Sequence, residues 1–376
     1  MQKSDRIFGK VDLSSAWFKK ALGIEAPHPF KTDIDLLVEH EVNKSKMLHE
    51  HFPDLPLGEA NPKSAYPIMQ YDRRLVIASA FGCAEPVWKP DNASFWVDKH
   101  FGPWKDIKTV DEVMRIKIPD WETVPLVRQM LEKWAQIQKK TRFPIQEISE
   151  WMEWDCTNPY TQRTYRFSDF ATFIDLGHFL CGSTEFFTIL AGEPDLARAM
   201  LAKCFELSTS FSDFRRKIYG RNLEAISTFG GDNSCNLSPD MYRRYAMTYD
   251  AMLIDRYGNL PCNLHSCGAS SHLYDVWGTY PNKNNIVVMQ TRGIPSELCR
   301  LRKALPDTFL QITIHQPQFD FENETSDNIY MLVEHYAQQA GFHNLELVVV
   351  INDAGEQVDR NIRAFYSAVD AVNNPN

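Results

Sequence analysis

A chain of 376 residues with 44% hydrophobic content is long enough to bury a sizeable core, as one large domain or as two smaller ones. Its net charge of −9, with no Lys/Arg cluster, excludes the basic footprint that nucleic acid or anionic lipid requires, and apolar runs such as Leu347 to Ile351 are far too short to span a bilayer. No charged-then-apolar leader opens the sequence, and the eight cysteines (Cys83, Cys156, Cys181, Cys204, Cys235, Cys262, Cys267, Cys299) form neither a CxxC pair nor a secreted-type framework, so a cytoplasmic protein with reduced thiols is expected.

Residues 1–120 are expected to form a cap or extension packed on the rest. They combine Pro-rich connections (Phe52-Pro53-Asp54-Leu55-Pro56, Pro86, Pro90, Pro103) with the aromatics Trp88, Phe95, Trp96, Phe101 and Trp104, and carry a helical pattern from Asp35 to His51. A boundary falls near Pro119, and a second helical pattern runs from Glu122 to Lys140. From there, within an expected catalytic unit of 121–376, short apolar runs alternate with amphipathic patterns. Strands are predicted at Ala225 to Phe229, Leu260 to Leu264, Asn285 to Met289, Phe309 to Ile314 and Leu345 to Ile351. Helices are predicted at Pro239 to Tyr257, Pro295 to Ala304, Ser326 to Ala340 and Val358 to Val372, with start signals at Ser238-Pro239 and Ser326. Strand followed by helix, repeated, predicts a parallel sheet.

Each predicted strand is followed by polar residues: Asp232 and Asn233, His265 and Cys267, Gln290 and Arg292, His315 with Gln316 and Gln318, Asn352 and Asp353. Intervals from Asp232 to His265, Gln290, His315 and Asn352 are 33, 25, 25 and 37 residues, against roughly 31 per unit for an eight-unit barrel. The pattern predicts a (β/α)8 TIM barrel with its polar residues gathered at the carboxyl ends of the strands. A doubly wound open sheet gives similar alternation, but no GxGxxG or Walker-type loop supports nucleotide binding.

Within Pro261-Cys262-Asn263-Leu264-His265-Ser266-Cys267-Gly268, the imidazole and thiol stand two residues apart, on one face of an extended strand. A neutral imidazole with a thiolate suits zinc, and the competing reading is a core histidine beside a core cysteine. Asp232 is expected either to transfer a proton or bind substrate, or to cap its turn. His315 reads as a general acid, a metal ligand or a satisfied core residue. Asn233, Gln290 and Arg292 are candidate substrate contacts, Arg292 with a surface ion pair as its alternative. Trp96 and its neighbouring rings either pack the cap or line the barrel mouth against a flat ligand.

The runs Gly231-Asp232-Asn233, Leu237-Ser238-Pro239-Asp240-Met241-Tyr242 and Leu264-His265-Ser266-Cys267-Gly268 resemble the uroporphyrinogen decarboxylase superfamily, in its corrinoid-dependent methyltransferase branch. Leu180-Cys181-Gly182-Ser183-Thr184-Glu185, before Gly192-Glu193-Pro194-Asp195, is similar to a stretch where that family has a barrel strand leading into a helix, and the resemblance covers about residues 175 to 372. It implies a TIM barrel that holds zinc through the His-x-Cys pair and a later thiolate, and moves a methyl group between a small donor or acceptor and a corrinoid on a partner protein. In place of the family's last cysteine the chain reads Val350-Ile351-Asn352-Asp353-Ala354-Gly355, which makes Asp353 the first candidate for the third ligand and His315 the second. Demethylation of an aromatic methyl ether is the favoured activity. A metal-free decarboxylase or lyase using Asp232, and a non-catalytic tetrapyrrole- or corrinoid-binding protein, are the alternatives, and a homodimer is left open.

Overall fold

The segment Leu345–Ile351, reading LELVVVI, is apolar on both faces apart from Glu346, the pattern of a strand covered by helices outside and by the sheet's own interior within. The computed structural model describes residues 6–62, 71–83, 85–97, 102–141, 153–220, 222–314, 320–321 and 323–375. Among these, the strands are β1 (Ile7–Leu13), β2 (Val87–Lys89), β3 (Ser94–Trp96), β4 (Glu153–Asn158), β5 (Arg163–Asp169), β6 (Ala225–Gly230), β7 (Cys262–Ser266), β8 (Ile286–Gly293), β9 (Phe309–Ile314) and β10 (Leu345–Ile351). Eight of them build one sheet in the order β1-β10-β9-β8-β7-β6-β5-β4, and β2 pairs with β3 as a separate hairpin. Neighbours in the large sheet are parallel except β4 and β5, which form an antiparallel hairpin at one edge.

The sheet curls. Cys156, Phe167, Ala225, Val288 and Phe309, from β4, β5, β6, β8 and β9, share one apolar cluster, although β4 and β9 would stand about 24 Å apart in a flat sheet. Tyr160, at the tip of the β4–β5 hairpin, lies 5.0 Å from Phe8 of β1 and 6.1 Å from Phe309, ring to ring. Its hydroxyl donates to the Leu345 carbonyl and accepts from the Leu345 N–H, both at 3.0 Å. One edge hairpin thus reaches the opposite edge at the amino-terminal end of the strands. With helices between the parallel strands, this is the (β/α)8 barrel-like fold that the alternating pattern predicts.

The elements Phe309–Ile314, Leu345–Ile351, Pro295–Ala304 and Ser326–Ala340 form with the predicted bounds. The helix expected from Pro239 to Tyr257 forms with a π-helical turn at Tyr242–Met247, where the i→i+5 bonding widens the helix. Two expectations are corrected. Leu180 to Glu185 contains no strand: Phe173–Cys181 and Ser183–Gly192 are helices, broken at Gly182 (φ +90°), and the strand that leads into them is β5. Residues 7–13, assigned above to the N-terminal extension, are a barrel strand, because β1 finds its partner in β10 near the far end of the sequence. No helix among the described residues is long and apolar enough to cross a membrane.

Candidate metal centre at the carboxyl rim

Adjacent strand ends deliver the site. After β6, Gly231 turns the chain at φ +64°, a left-handed conformation that glycine tolerates and other residues resist. A methyl group there would also overlap Thr172 and Asp175. That close approach lets buried Asp175 accept hydrogen bonds from the backbone N–H groups of Asp232 (3.0 Å) and Asn233 (2.9 Å) and from Asn233 Nδ2 (2.9 Å). Asp175 therefore fixes the turn that carries Asp232. Gly231→Ala is expected to displace Asp232 and lower metal affinity at least about tenfold, an effect of the size seen when supporting groups around a metal site are lost; titration of the purified variant with zinc checks this.

β7 places His265 opposite Gly230 of β6, and Cys267 follows one residue beyond the strand end. Gly268 lies so close to Cys235 that a side chain would collide with its sulfur, which keeps the Cys267 loop folded against the Asp232 turn. Asp232 Oδ1 stands 3.2 Å from His265 Nε2 and accepts from Cys267 Sγ at 2.7 Å. One donor atom from each of Asp232, His265 and Cys267 lies within 4.8 Å of the others, and no other such cluster of His, Cys, Asp and Glu occurs among the described residues. A tetrahedral zinc centre with bonds of about 2.0–2.3 Å has ligand-to-ligand edges of about 3.3–3.8 Å, so small rotations open this triad enough to hold an ion. Thiolate, imidazole and carboxylate are all ordinary zinc donors, and the residues fit the metal.

Charge is balanced within the triad. The hydrogen bond from His265 holds the Asp232 carboxyl well below the usual carboxylate range, with the Cys267 bond and the positive charges of His265 and Arg74 adding to it against the effect of burial. Burial by itself would lower the His265 imidazole, but its bonds to Asp232 and Cys267 outweigh that and push it up to about 10. Arg74 Nη1 lies 3.4 Å from Asp175 and 3.8 Å from Asp232, while its Nη2 pairs with Asp72 at 2.6 Å. On the far side, Gln290 Oε1 faces His265 Nδ1 at 3.2 Å.

Two cavities meet here. A small one of about 310 Å³ is lined by Asp232, His265 and Gln290, and a large one of about 1020 Å³ by Tyr71, Trp88, Phe95, Trp96 and Phe179; Arg73 and Arg74 line both. The β2–β3 hairpin supplies much of the aromatic wall, with Trp88 and Phe95 at 5.0 Å between ring centres.

Of the residues singled out in the sequence, Asp232, His265, Cys267 and Gln290 converge. Asn233 does not face the cavities with its amide, which is bonded to Asp175. Arg292 is exposed and lines neither cavity, and Trp96, 54% exposed, stands in the wall of the large one. His315, with Gln316 and Gln318, lies outside the described residues. Asp353 is placed elsewhere: its carboxylate pairs with Lys20 at 2.8 Å on the surface, and it is not part of the triad. Asp232 lies beside His265 because the β6 turn sits directly beside β7. Sequence reasoning missed Asp175, whose signal was a lone carboxylate in the apolar helix Phe173–Cys181, and Arg74, which had no local signal. It gave Cys235 no role of its own, and the Cys235 sulfur donates to the Asp232 carbonyl at 3.1 Å.

No protein-family model matches the chain, and no curated protein matches it in sequence. Solved structures do. One is described as a methyltransferase from Methanosarcina mazei, with a TM-score of 0.57 and 13% identity over 98% of this chain and 94% of that one. At that identity the likeness is one of fold, and the chain shares its barrel-like architecture end to end with a methyltransferase of known structure.

Proposed function

We propose that the protein is a zinc-dependent methyltransferase that moves a methyl group between a small methylated substrate and a corrinoid carried by a partner protein. The observation that carries this reading is the convergence of Asp232, His265 and Cys267 at the strand ends, beside a large aromatic cavity. The fold shared with the Methanosarcina methyltransferase and the residue-level resemblance around Asp232 and His265 support the reaction class. Asp232 takes the place of Asp353 as third ligand. Zinc held by this triad supplies a Lewis acid for the heteroatom that bears the methyl group. With one sulfur, one nitrogen and one oxygen donor, the triad is harder than a site with two thiolates, which favours an oxygen-bound methyl donor. Trp88, Phe95 and Trp96 offer apolar faces to a flat ring, so an aromatic methyl ether is the favoured substrate. Zinc-loaded protein incubated with cob(I)alamin and a series of methyl ethers and methylamines should form methylcobalamin with at least one donor; formation with none refutes the reading.

Coordination needs the His265 proton removed, and in the metal-free protein that proton is held up to about pH 10. Zinc affinity is therefore expected to rise with pH, about tenfold per unit between pH 6 and 9 from this group alone, and to level off only above about pH 10. Competition with a chromophoric chelator measures this, and a flat profile counts against His265 as a ligand. A metal-free lyase is the weaker reading, since a carboxylate held as low as Asp232 is a poor proton acceptor near neutrality. Non-catalytic corrinoid binding would show retention of the cofactor without turnover, unchanged in His265→Ala.

A further inference from the structure

The polar side chains beside His265 continue across the sheet on a single rung. The parallel register pairs His265 with Gln290, Gln290 with Gln311 and Gln311 with Glu346, on β7, β8, β9 and β10 in turn. Gln290 Nε2 donates to Gln311 Oε1 at 2.8 Å, and Gln311 Nε2 donates to Glu346 Oε2 at 2.7 Å.

Such a row has a direction, and its end decides which. An ionised carboxylate only accepts hydrogen bonds, whereas a primary amide can present either face. Glu346 thus draws the NH2 of Gln311 toward β10 and leaves the Gln311 carbonyl facing β8. Gln290 must then turn its NH2 to β9 and its carbonyl to β7. That carbonyl meets His265 Nδ1 and accepts its proton, which leaves Nε2, the atom that donates to Asp232 in the metal-free protein, as the nitrogen that gives up its proton to a metal. We propose that Glu346 is a positioning residue that sets the tautomer of His265 through the two intervening amides. The inference rests on the metal-binding reading above, because a ligand nitrogen must be unprotonated.

Asn263 supports the imposed direction. Its Nδ2 donates to both Ser227 Oγ (3.0 Å) and Gln290 Oε1 (3.1 Å), while its own fully buried Oδ1 has no hydrogen-bond partner. Turning the Asn263 amide over would set its oxygen against that of Gln290, so the orphaned atom is the consequence of a Gln290 carbonyl already committed toward β7. Burial, with the charge of Asp12 adding to it, raises the Glu346 carboxyl, and the Gln311 bond and the Lys10 cation on β1 offset only part of that rise.

The test compares zinc dissociation constants, by chelator competition at one fixed pH, for wild type, Glu346→Gln and the swapped pair Gln311→Glu with Glu346→Gln. Glu346→Gln removes the obligatory acceptor, and affinity should fall about 10–100-fold. The swap restores a carboxylate, now on β9, that accepts from Gln290 on one side and from the new β10 amide on the other. Affinity should then return to within about threefold of wild type, a margin well inside that loss. Nitrogen-15 spectra of the zinc-loaded wild type and swap should show Nδ1 of His265 protonated and Nε2 ligated. Equal affinity in wild type and Glu346→Gln, or a swap as weak as the single variant, overturns the inference and leaves the metal site standing. A wild type that binds no zinc overturns the metal reading and this one with it. If Glu346→Gln does not fold, the swap and the wild-type spectrum decide, and ligation through Nδ1 is then the overturning result.

Discussion

Loss of any one of Asp232, His265 or Cys267 is expected to take bound zinc from about one per chain to near zero while leaving the fold intact. The three side chains sit at strand ends and in loops, each only half-buried, and none belongs to the packed apolar core. Removing one leaves two donors, too few for a closed coordination sphere, so the loss should exceed the about 10–100-fold that follows from removing an outer partner. Asp353→Ala should keep wild-type affinity, since its partner is Lys20. Metal analysis of proteins purified without chelator, with circular dichroism as the control for folding, separates these outcomes. Full zinc content in Asp232→Ala would show that the third donor is another residue.

Arg302→Met is expected to destabilise the fold by about 3 kcal/mol or more without changing zinc affinity. The guanidinium of Arg302 donates to six backbone carbonyls: Ala340 through Nε at 2.9 Å, Leu305, Pro306 and Thr308 through Nη1 at 3.4, 3.4 and 2.8 Å, and His343 and Asn344 through Nη2 at 2.9 and 3.0 Å. These carbonyls end two helices and precede β9 and β10, so one side chain ties together the approaches to both strands. Met keeps much of the stem's volume but leaves the acceptors unpaired. Burial pulls the guanidinium down to about 10, so the charge is already held at some cost and its hydrogen bonds must offset that. Urea unfolding of the two proteins measures the difference. A change under about 1 kcal/mol would mean that water satisfies the carbonyls.

The second half of the barrel was legible because its strands are short apolar runs and its helices carry clear start signals. Phe309–Ile314 and Pro295–Ala304 form with the predicted bounds for that reason. The His265 and Cys267 pairing was legible too, since a period of two along a strand needs no tertiary information. The third member of the cluster was not: Asp232 and Asp353 both follow strands, and only the sheet order, with β6 beside β7, puts the first of them next to His265. The β4–β5 hairpin escaped notice because Arg163–Asp169 mixes charged, hydroxyl and aromatic residues and resembles neither an apolar run nor a helix. Asp175 and Arg74 act across 57 and 101 sequence positions, on Asp232 and Asp175 respectively, beyond the reach of any local pattern.

The pairing of β1 with β10 has a consequence in time. All seven residues of β1 pair in register with a strand made near the end of synthesis, and Ile7 exchanges two hydrogen bonds with the Asn373 side chain 366 positions away. At ordinary translation speeds of about 5–20 residues per second, β1 leaves the ribosome roughly 20–70 s before its partner exists. Throughout that interval a β-prone segment hangs unpaired, guarded by the charges of Lys10 and Asp12. The first strand of the chain therefore takes its place in the sheet only after the last one has been made.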